Sequence, residues 1–493
     1  MTDTSFLRIA AAGLVFLVLF ACGMPASVER VVDTDKIPIT TCSEKALDAF
    51  LKGRWLFDNL RLTDSHQYFL KATEADPNFA LAHLFVASTA ATNTELFEAF
   101  RLAVDTSDTA SEGERLMIAA FEAGVAGDPE TQRAKLEALV ELFPKDERAH
   151  NALGNYFYFN QQDFDRAIVA YRTAIEINQE FTQPYNMLGY ALRFIGDFAG
   201  SEQAFQRYTE LIPDQPNPYD SYAELLMKMG RFEESIAGYK KALAIDPNFV
   251  ASHIGIGNNW MFMDRFENAR TAFSEIEAIA RSDAERRLIC TWRAISYLHE
   301  GDFENAFDEI QRRYDIAAET DDRGSMSGDL NLLGDIYLHA GRADEAAESY
   351  QAQIEMIQSS DVTDEVKEAA ARNLQYDLAR VALWKGDLAS ASEFAEGYRE
   401  AAQIHNVRFE IQRTHELDAM IAIAKGDPGA AIGHLEQANQ QDPQIWILKA
   451  RAHAALGDRE AARVACEEVV NFNQLSLNLA FVRNTARELY ESL

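Results

Sequence analysis

Small residues and aromatics recur along this chain in a fixed register. Ala167/Tyr171, Ser201/Phe205, Ser235/Tyr239 and Ala269/Phe273 follow one another at intervals of 34 residues. Twelve residues after the small position the pattern breaks at Pro213 and Pro247, and twelve before it stand Gly189, Ala223 and Gly257. Between these marks apolar residues keep helical spacing, which predicts pairs of amphipathic helices. Where such helices meet through Ala or Gly they approach to the short end of the interaxial range. Nine Gly-Asp-like triplets predict the turns between them, beginning at Gln162-Asp163-Phe164 and Gly196-Asp197-Phe198 and ending at Gly457-Asp458-Arg459. Glycine takes the left-handed conformation that closes one helix, and Asp accepts hydrogen bonds from the free amides that open the next.

These spacings resemble the tetratricopeptide repeat over most of the chain after residue 43. In that family a Gly or Ala at the eighth position and an Ala or Ser at the twentieth let two helices close, and an aromatic at the twenty-fourth fills the space beside them. The resemblance implies an all-α solenoid: a right-handed superhelix of antiparallel helix pairs, about twelve repeats, ending in a capping helix. Residues 44–281 read as a regular array. Residues 282–475 read as a looser one, because the small positions Ala306, Ala346, Ala391, Ala431 and Ala462 fall at intervals of 37, 40, 45, 40 and 31. Residues 476–493, with Leu479, Val482, Ala486 and Leu489 on one face, read as the cap.

The chain opens differently. Ile9 to Phe20 is almost unbroken apolar sequence after Arg8, short of the roughly 20 residues of a bilayer span and suited to a signal peptide. Leu19-Phe20-Ala21-Cys22 resembles the lipobox of bacterial lipoproteins, with Phe20 where that family usually has a small residue. The resemblance implies removal of residues 1–21 and lipidation of Cys22. Gly23, in place of the Asp that retains such proteins at the inner membrane, implies the periplasmic face of the outer membrane. An ordinary secretory signal, giving a soluble periplasmic or secreted protein, is the alternative. Residues 22–43, with Pro25 and Pro38 and no helical period, read as a tether.

Composition narrows the partners. With 46 Lys+Arg against 78 Asp+Glu the net charge is -32, which excludes electrostatic nucleic-acid binding as the default. Four cysteines are too few and too scattered for a disulfide framework. Cys290 and Cys466 fall at packing positions, and Cys42 beside the tether is the plausible exposed thiol.

Motifs for catalysis are missing: no His-Glu-x-x-His, P-loop, Gly-x-Ser-x-Gly or EF-hand loop occurs. No catalytic residue, metal or cofactor is predicted. His83, His150 and His253 share the fourth repeat position and read as packing residues. His299 and His339, in adjacent repeats just before Gly301 and Gly341, could share a metal, though a helix C-terminus alone also favours histidine. In the family, the fifth and ninth positions of the first helices face a concave groove. Carried over, these positions and the next along the face give Asn151, Asn155, Tyr158, Asn186, Tyr190, Arg193, Asp220, Glu224, Asn258 and Met261 as a peptide-binding row. Asp220 and Glu224 stand in a groove that lacks the family's dicarboxylate clamp, so the expected partner is a neutral or basic protein segment. The function read from the sequence is a non-enzymatic scaffold of the cell envelope. A periplasmic binder of small ligands or wall fragments, and less so a metal-dependent enzyme, are its rivals.

Overall fold

All nine expected turns have the left-handed backbone their sequences call for. Gln162, Gly196, Gly230, Asp264, Gly301, Gly341, Gly386, Gly426 and Gly457 have φ between 49° and 84°. Behind them Asp163, Asp197, Asp302, Asp387, Asp427 and Asp458 each accept the N–H of the third helical residue, a cap worth about 1 kcal/mol. Arg231, Arg265 and Arg342 hold the same place without a side-chain cap.

The computed structural model describes residues 35–90, 93–280, 282–360, 364–474 and 476–493. The apolar leader and Cys22 lie outside them. Among the described residues there are twenty-five α-helices and no strand, which is twelve pairs and one more helix. In order they are α1 (Glu44–Asp58), α2 (Leu62–Ala75), α3 (Ala80–Ser88), α4 (Asn93–Asp105), α5 (Glu112–Val125), α6 (Pro129–Leu142), α7 (Glu147–Tyr156), α8 (Phe164–Ile177), α9 (Gln183–Phe194), α10 (Phe198–Leu211), α11 (Pro216–Lys228), α12 (Phe232–Ile245) and α13 (Val250–Phe262). There follow α14 (Phe266–Glu277), α15 (Asp283–Glu300), α16 (Phe303–Ala318), α17 (Arg323–His339), α18 (Ala343–Gln358), α19 (Asp364–Trp384), α20 (Leu388–His405), α21 (Arg408–Ala424), α22 (Pro428–Leu435), α23 (Pro443–Ala455), α24 (Arg459–Val470) and α25 (Leu477–Ser492). The chain forms two compact units, one ending at Ala191 and one beginning at Leu192.

Inside each unit the helix pairs close as the small and aromatic positions require. A Cβ added to Gly154 would lie 2.6 Å from the ring of Tyr171, and one on Gly257 would lie 2.2 Å from that of Phe273. Tyr171 and Phe273 are themselves fully buried. His83, His150 and His253 do more than pack. Each sets its Nε2 2.9 Å from a proline carbonyl six residues back, that of Pro77, Pro144 and Pro247. Tyr219 makes the same bond to Pro213, and Trp446 to Gln440. A carbonyl only accepts, so the position selects a long side chain with a donor at its tip, whatever its type.

The N-terminal stretch departs from the expected tether. Ile37 donates its N–H to Asp146 at 2.9 Å, and Thr40 donates to Glu114 at 2.9 Å. The Thr41 hydroxyl donates to Asp76 at 2.5 Å. Lys36 pairs with Glu147. Carboxylates beside the starts of α3, α5 and α7 thus satisfy an extended strap, so the packed body begins at about residue 36 instead of 44. Cys42 is exposed on this strap, and Cys290 and Cys466 are buried.

Candidate functional site

An irregularity in the repeat shapes one side of a cleft in the first unit. Between Gly154 and Ala167 the chain carries one residue more than its neighbours, and the structure absorbs it in a π-helical turn, Phe157–Gln161. Such single turns are how an α-helix accommodates an insertion, and they recur at functional sites. Each residue advances the helix by about 100°, so the insertion re-aims everything after it. Phe159 and Asn160 are turned into a cleft of about 360 Å³. Tyr158, expected to face a groove, instead packs against Phe159 and Phe164 with ring centroids 4.8 and 5.4 Å away, and it does not line the cleft.

The cleft floor is apolar, with Phe57, Phe85, Met117, Leu136 and Tyr156 from α1, α3, α5, α6 and α7. Its rim is polar. Asn151 and Asn155 both line it. Asn151 donates to Gln183 at 3.1 Å, while its Oδ1 is buried with no hydrogen-bond partner. Asn155 accepts from the Tyr171 hydroxyl at 2.9 Å. Arg148 is held by Asp58 at 2.5 Å across the end of α1, and it covers the Phe181 ring at 5.1 Å. The cleft thus combines apolar surface, a neutralised ion pair and an amide oxygen with unused accepting capacity. Asn186 and Tyr190, farther along α9, are not among its lining residues.

The second unit corrects the remainder of the expected row. Arg193 pairs with Glu224 at 2.7 Å. Asp220 accepts the Ser252 hydroxyl at 2.6 Å, and burial pushes its carboxyl up to about 7. Asn258 is buried and Met261 is wholly inside a core that includes Ala480 of the last helix. The cause is α25. It does not merely end the array, because it also lies against α13 and α15. Arg483 donates to the Phe262 carbonyl at 3.1 Å, and Asn484 donates to that of His299 at 2.9 Å. Arg483 and Arg487 both reach Asp264. Leu479, Val482 and Ala486 share an apolar cluster with Met227 and Phe262. The Met261 end of a face expected to be open to a peptide is thus enclosed by α25.

His299 and His339 do not share a site. His299 stacks on Phe266, centroids 6.0 Å apart, and His339 on Phe481 at 3.8 Å. Burial, reinforced by Arg483, holds His299 down to about 3, and burial with Arg380 holds His339 down to about 4. A histidine that folds neutral stabilises above its ordinary pKa of about 6.5, and the stabilisation fades as pH falls from there toward the folded value. For His299 the loss is about 1.4 kcal/mol per pH unit below 6.5. Glu416 and Asp220, raised to about 7 by burial, run the other way and favour the fold as pH falls. A variant comparison isolates the histidine. His299→Leu should flatten the pH dependence of unfolding free energy between pH 6 and 4.5 by close to one proton, read from urea titrations. An unaltered slope would show that His299 folds charged.

Beside His339 lies a small polar cavity of about 90 Å³ bounded by Arg380, Arg413 and Glu416. Arg380 is fixed between Asp335 at 2.7 Å and Asp377 at 3.3 Å. Arg413 covers Tyr376 at 4.5 Å. The volume is that of about three waters, and the geometry is that of an internal ion network.

Comparison with known proteins gives one family. A model described as "TPR repeat" matches residues 223–258. Models described as "Tetratricopeptide repeat" match residues 422–478, 119–181, 158–216 and 330–359. The chain is similar to the protein CTR9 homolog of Arabidopsis thaliana, 29% identical over 124 residues, which is 23% of this chain and 11% of that protein. It is also similar to Superkiller protein 3 of Schizosaccharomyces pombe, 25% identical over 125 residues, or 25% of this chain and 9% of that one. The chain therefore spans about a tenth of the length of these relatives. Among solved structures, a tetratricopeptide repeat protein of Parabacteroides merdae is 14% identical, covering 52% of this chain and 96% of that one at a TM-score of 0.39. MamA of Desulfovibrio magneticus is 17% identical, covering 34% and 97% at a TM-score of 0.31.

Proposed function

The chain is a tetratricopeptide repeat protein, a fold that serves as an interaction scaffold, and we propose that its first unit grips an extended segment of a partner protein while Cys22 anchors the chain by lipid. The observation that carries this reading is the cleft shaped on one side by the π-helical turn. Phe159 is 65% exposed and lines the cleft, and the exposed Asn160 amide beside it can pair with the backbone of a bound strand of peptide. An apolar side chain of that segment fills the floor.

Acidic balance supports a neutral or basic partner, and the lipobox-like Leu19-Phe20-Ala21-Cys22 supports attachment at the periplasmic face of the outer membrane. In this reading the chain is a non-enzymatic adaptor for envelope assembly.

The test is photocrosslinking in intact cells from a reactive amino acid placed at Phe159, with a Cys22→Ser control that should lose membrane attachment. One or two envelope proteins should be captured. With the captured partner, Phe159→Ala should weaken binding about tenfold or more, as for an aromatic anchor at an interface. Its effect on folding should stay within about 0.5 kcal/mol, since the ring is mostly exposed. A partner that binds Phe159→Ala as well as the native chain would remove the cleft from the proposal.

A further inference from the structure

The eleventh helix pair brings together three side chains that no motif spacing links. His415 and Asp418 stand one turn apart on α21 and share a face. His434 comes from the last turn of α22. The two histidine Nδ1 atoms are 3.5 Å apart, and His434 Nδ1 is 3.7 Å from Asp418 Oδ2. One ligand atom from each of the three lies within 4.8 Å of the others. A tetrahedral zinc ion with bonds of about 2.0–2.1 Å holds its ligand atoms about 3.3 Å apart, so a small inward movement would place all three on one ion. All three residues are half-buried, which leaves a fourth position open to water or to a partner's side chain.

The surroundings suit a dication. Arg399 donates to Asp418 Oδ1 at 2.5 Å, leaving Oδ2 turned toward His434. Fixing a ligand from behind in this way is the usual outer-shell role. The charge of Arg399 is itself balanced by Glu396, so the cluster keeps the net negative charge of Asp418. Two nitrogens facing each other at 3.5 Å make a poor hydrogen bond, and each offers a lone pair when its proton sits on Nε2. Two imidazoles with one carboxylate favour zinc-class ions over calcium or magnesium.

We propose that His415, Asp418 and His434 form a binding site for a zinc-class divalent ion that clamps α21 to α22. This site is independent of the cleft in the first unit.

The experiment is titration of the chelator-treated full chain with zinc ion, by calorimetry and by thermal unfolding. The expected result is one equivalent bound per chain and a rise in melting temperature at saturation. His434→Gln and Asp418→Asn should each weaken that equivalent tenfold or more, and cobalt in place of zinc should give the visible bands of a four-coordinate ion. His405→Gln, on the exposed end of α20, should change nothing. Circular dichroism checks that each variant is folded, and two separate ligand variants guard against one that is not. The proposal is overturned if the native chain binds no single tight equivalent. It is equally overturned if both ligand variants bind zinc as the native chain does.

Discussion

Deletion of residues 476–493 is expected to destabilise the second unit by about 5 kcal/mol or more, far beyond the effect of trimming a terminal cap. Leu479 and Val482 are 1% and 5% exposed, and burying side chains of this size contributes about 1.5–3 kcal/mol each. Ala480 and Ala486 are also enclosed, and Arg483 is 4% exposed with its guanidinium on the Phe262 carbonyl and Asp264. Removing the helix uncovers Met227, Phe262, Ile447 and Cys466 at once, since all four lie in the cluster it completes. The shortened chain should therefore unfold at lower urea and bind a hydrophobic dye such as ANS while still helical. A truncated chain with the native urea midpoint and no dye binding would mean that α25 does not rest on α13 and α15 in solution.

The second large effect is expected at Asp329. Its carboxylate is fully buried on α17 and takes both terminal nitrogens of Arg287, from α15, at 2.7 and 3.2 Å. Arg313 of α16 donates to it as well. One acid thus ties three successive helices. Asp329→Ala leaves Arg287, which is 8% exposed, as an uncompensated charge, and breaking a buried pair from one side costs about 3–5 kcal/mol. Arg287→Met should cost less, because Asp329 keeps Arg313 and the methionine fills the emptied volume. Urea unfolding of both variants gives the comparison. Equal losses in the two would mean that the cost lies in packing and not in the stranded charge.

How far the sequence reached differs from one level to the next. The helix pairs, their number and all nine turns were legible, because they depend on residues close in the chain: a glycine with positive φ, an aspartate capping three residues on, a small residue against an aromatic. Asn151 and Asn155 line the cleft of the first unit, since a repeat position fixes which face of a helix a side chain takes. Tyr158 does not. One inserted residue rotated the helix face, and the insertion could be counted but its direction of relief could not. The row from Asp220 to Met261 differs for another reason: Asp220 and Glu224 are taken by Ser252 and Arg193, and Met261 is enclosed with a helix more than two hundred residues later, beside the Arg483 bond to the Phe262 carbonyl.

The sequence by itself determined the local periodic structure of this protein: twelve helix pairs, their left-handed turns, their close-packed small and aromatic positions, and the acidic balance of the surface. Only the tertiary structure decided which faces stay open. It seated α25 on the second unit, bound the strap from Lys36 to Cys42 against the first, turned Phe159 into a cleft, and set His415, Asp418 and His434 within reach of one ion. The division has a physical cause. Backbone dihedrals, caps and neighbouring-helix packing are short-range and repeat with the chain, whereas the apolar face of an amphipathic helix such as α25 fits any complementary apolar surface, and only the folded geometry selects which one it meets.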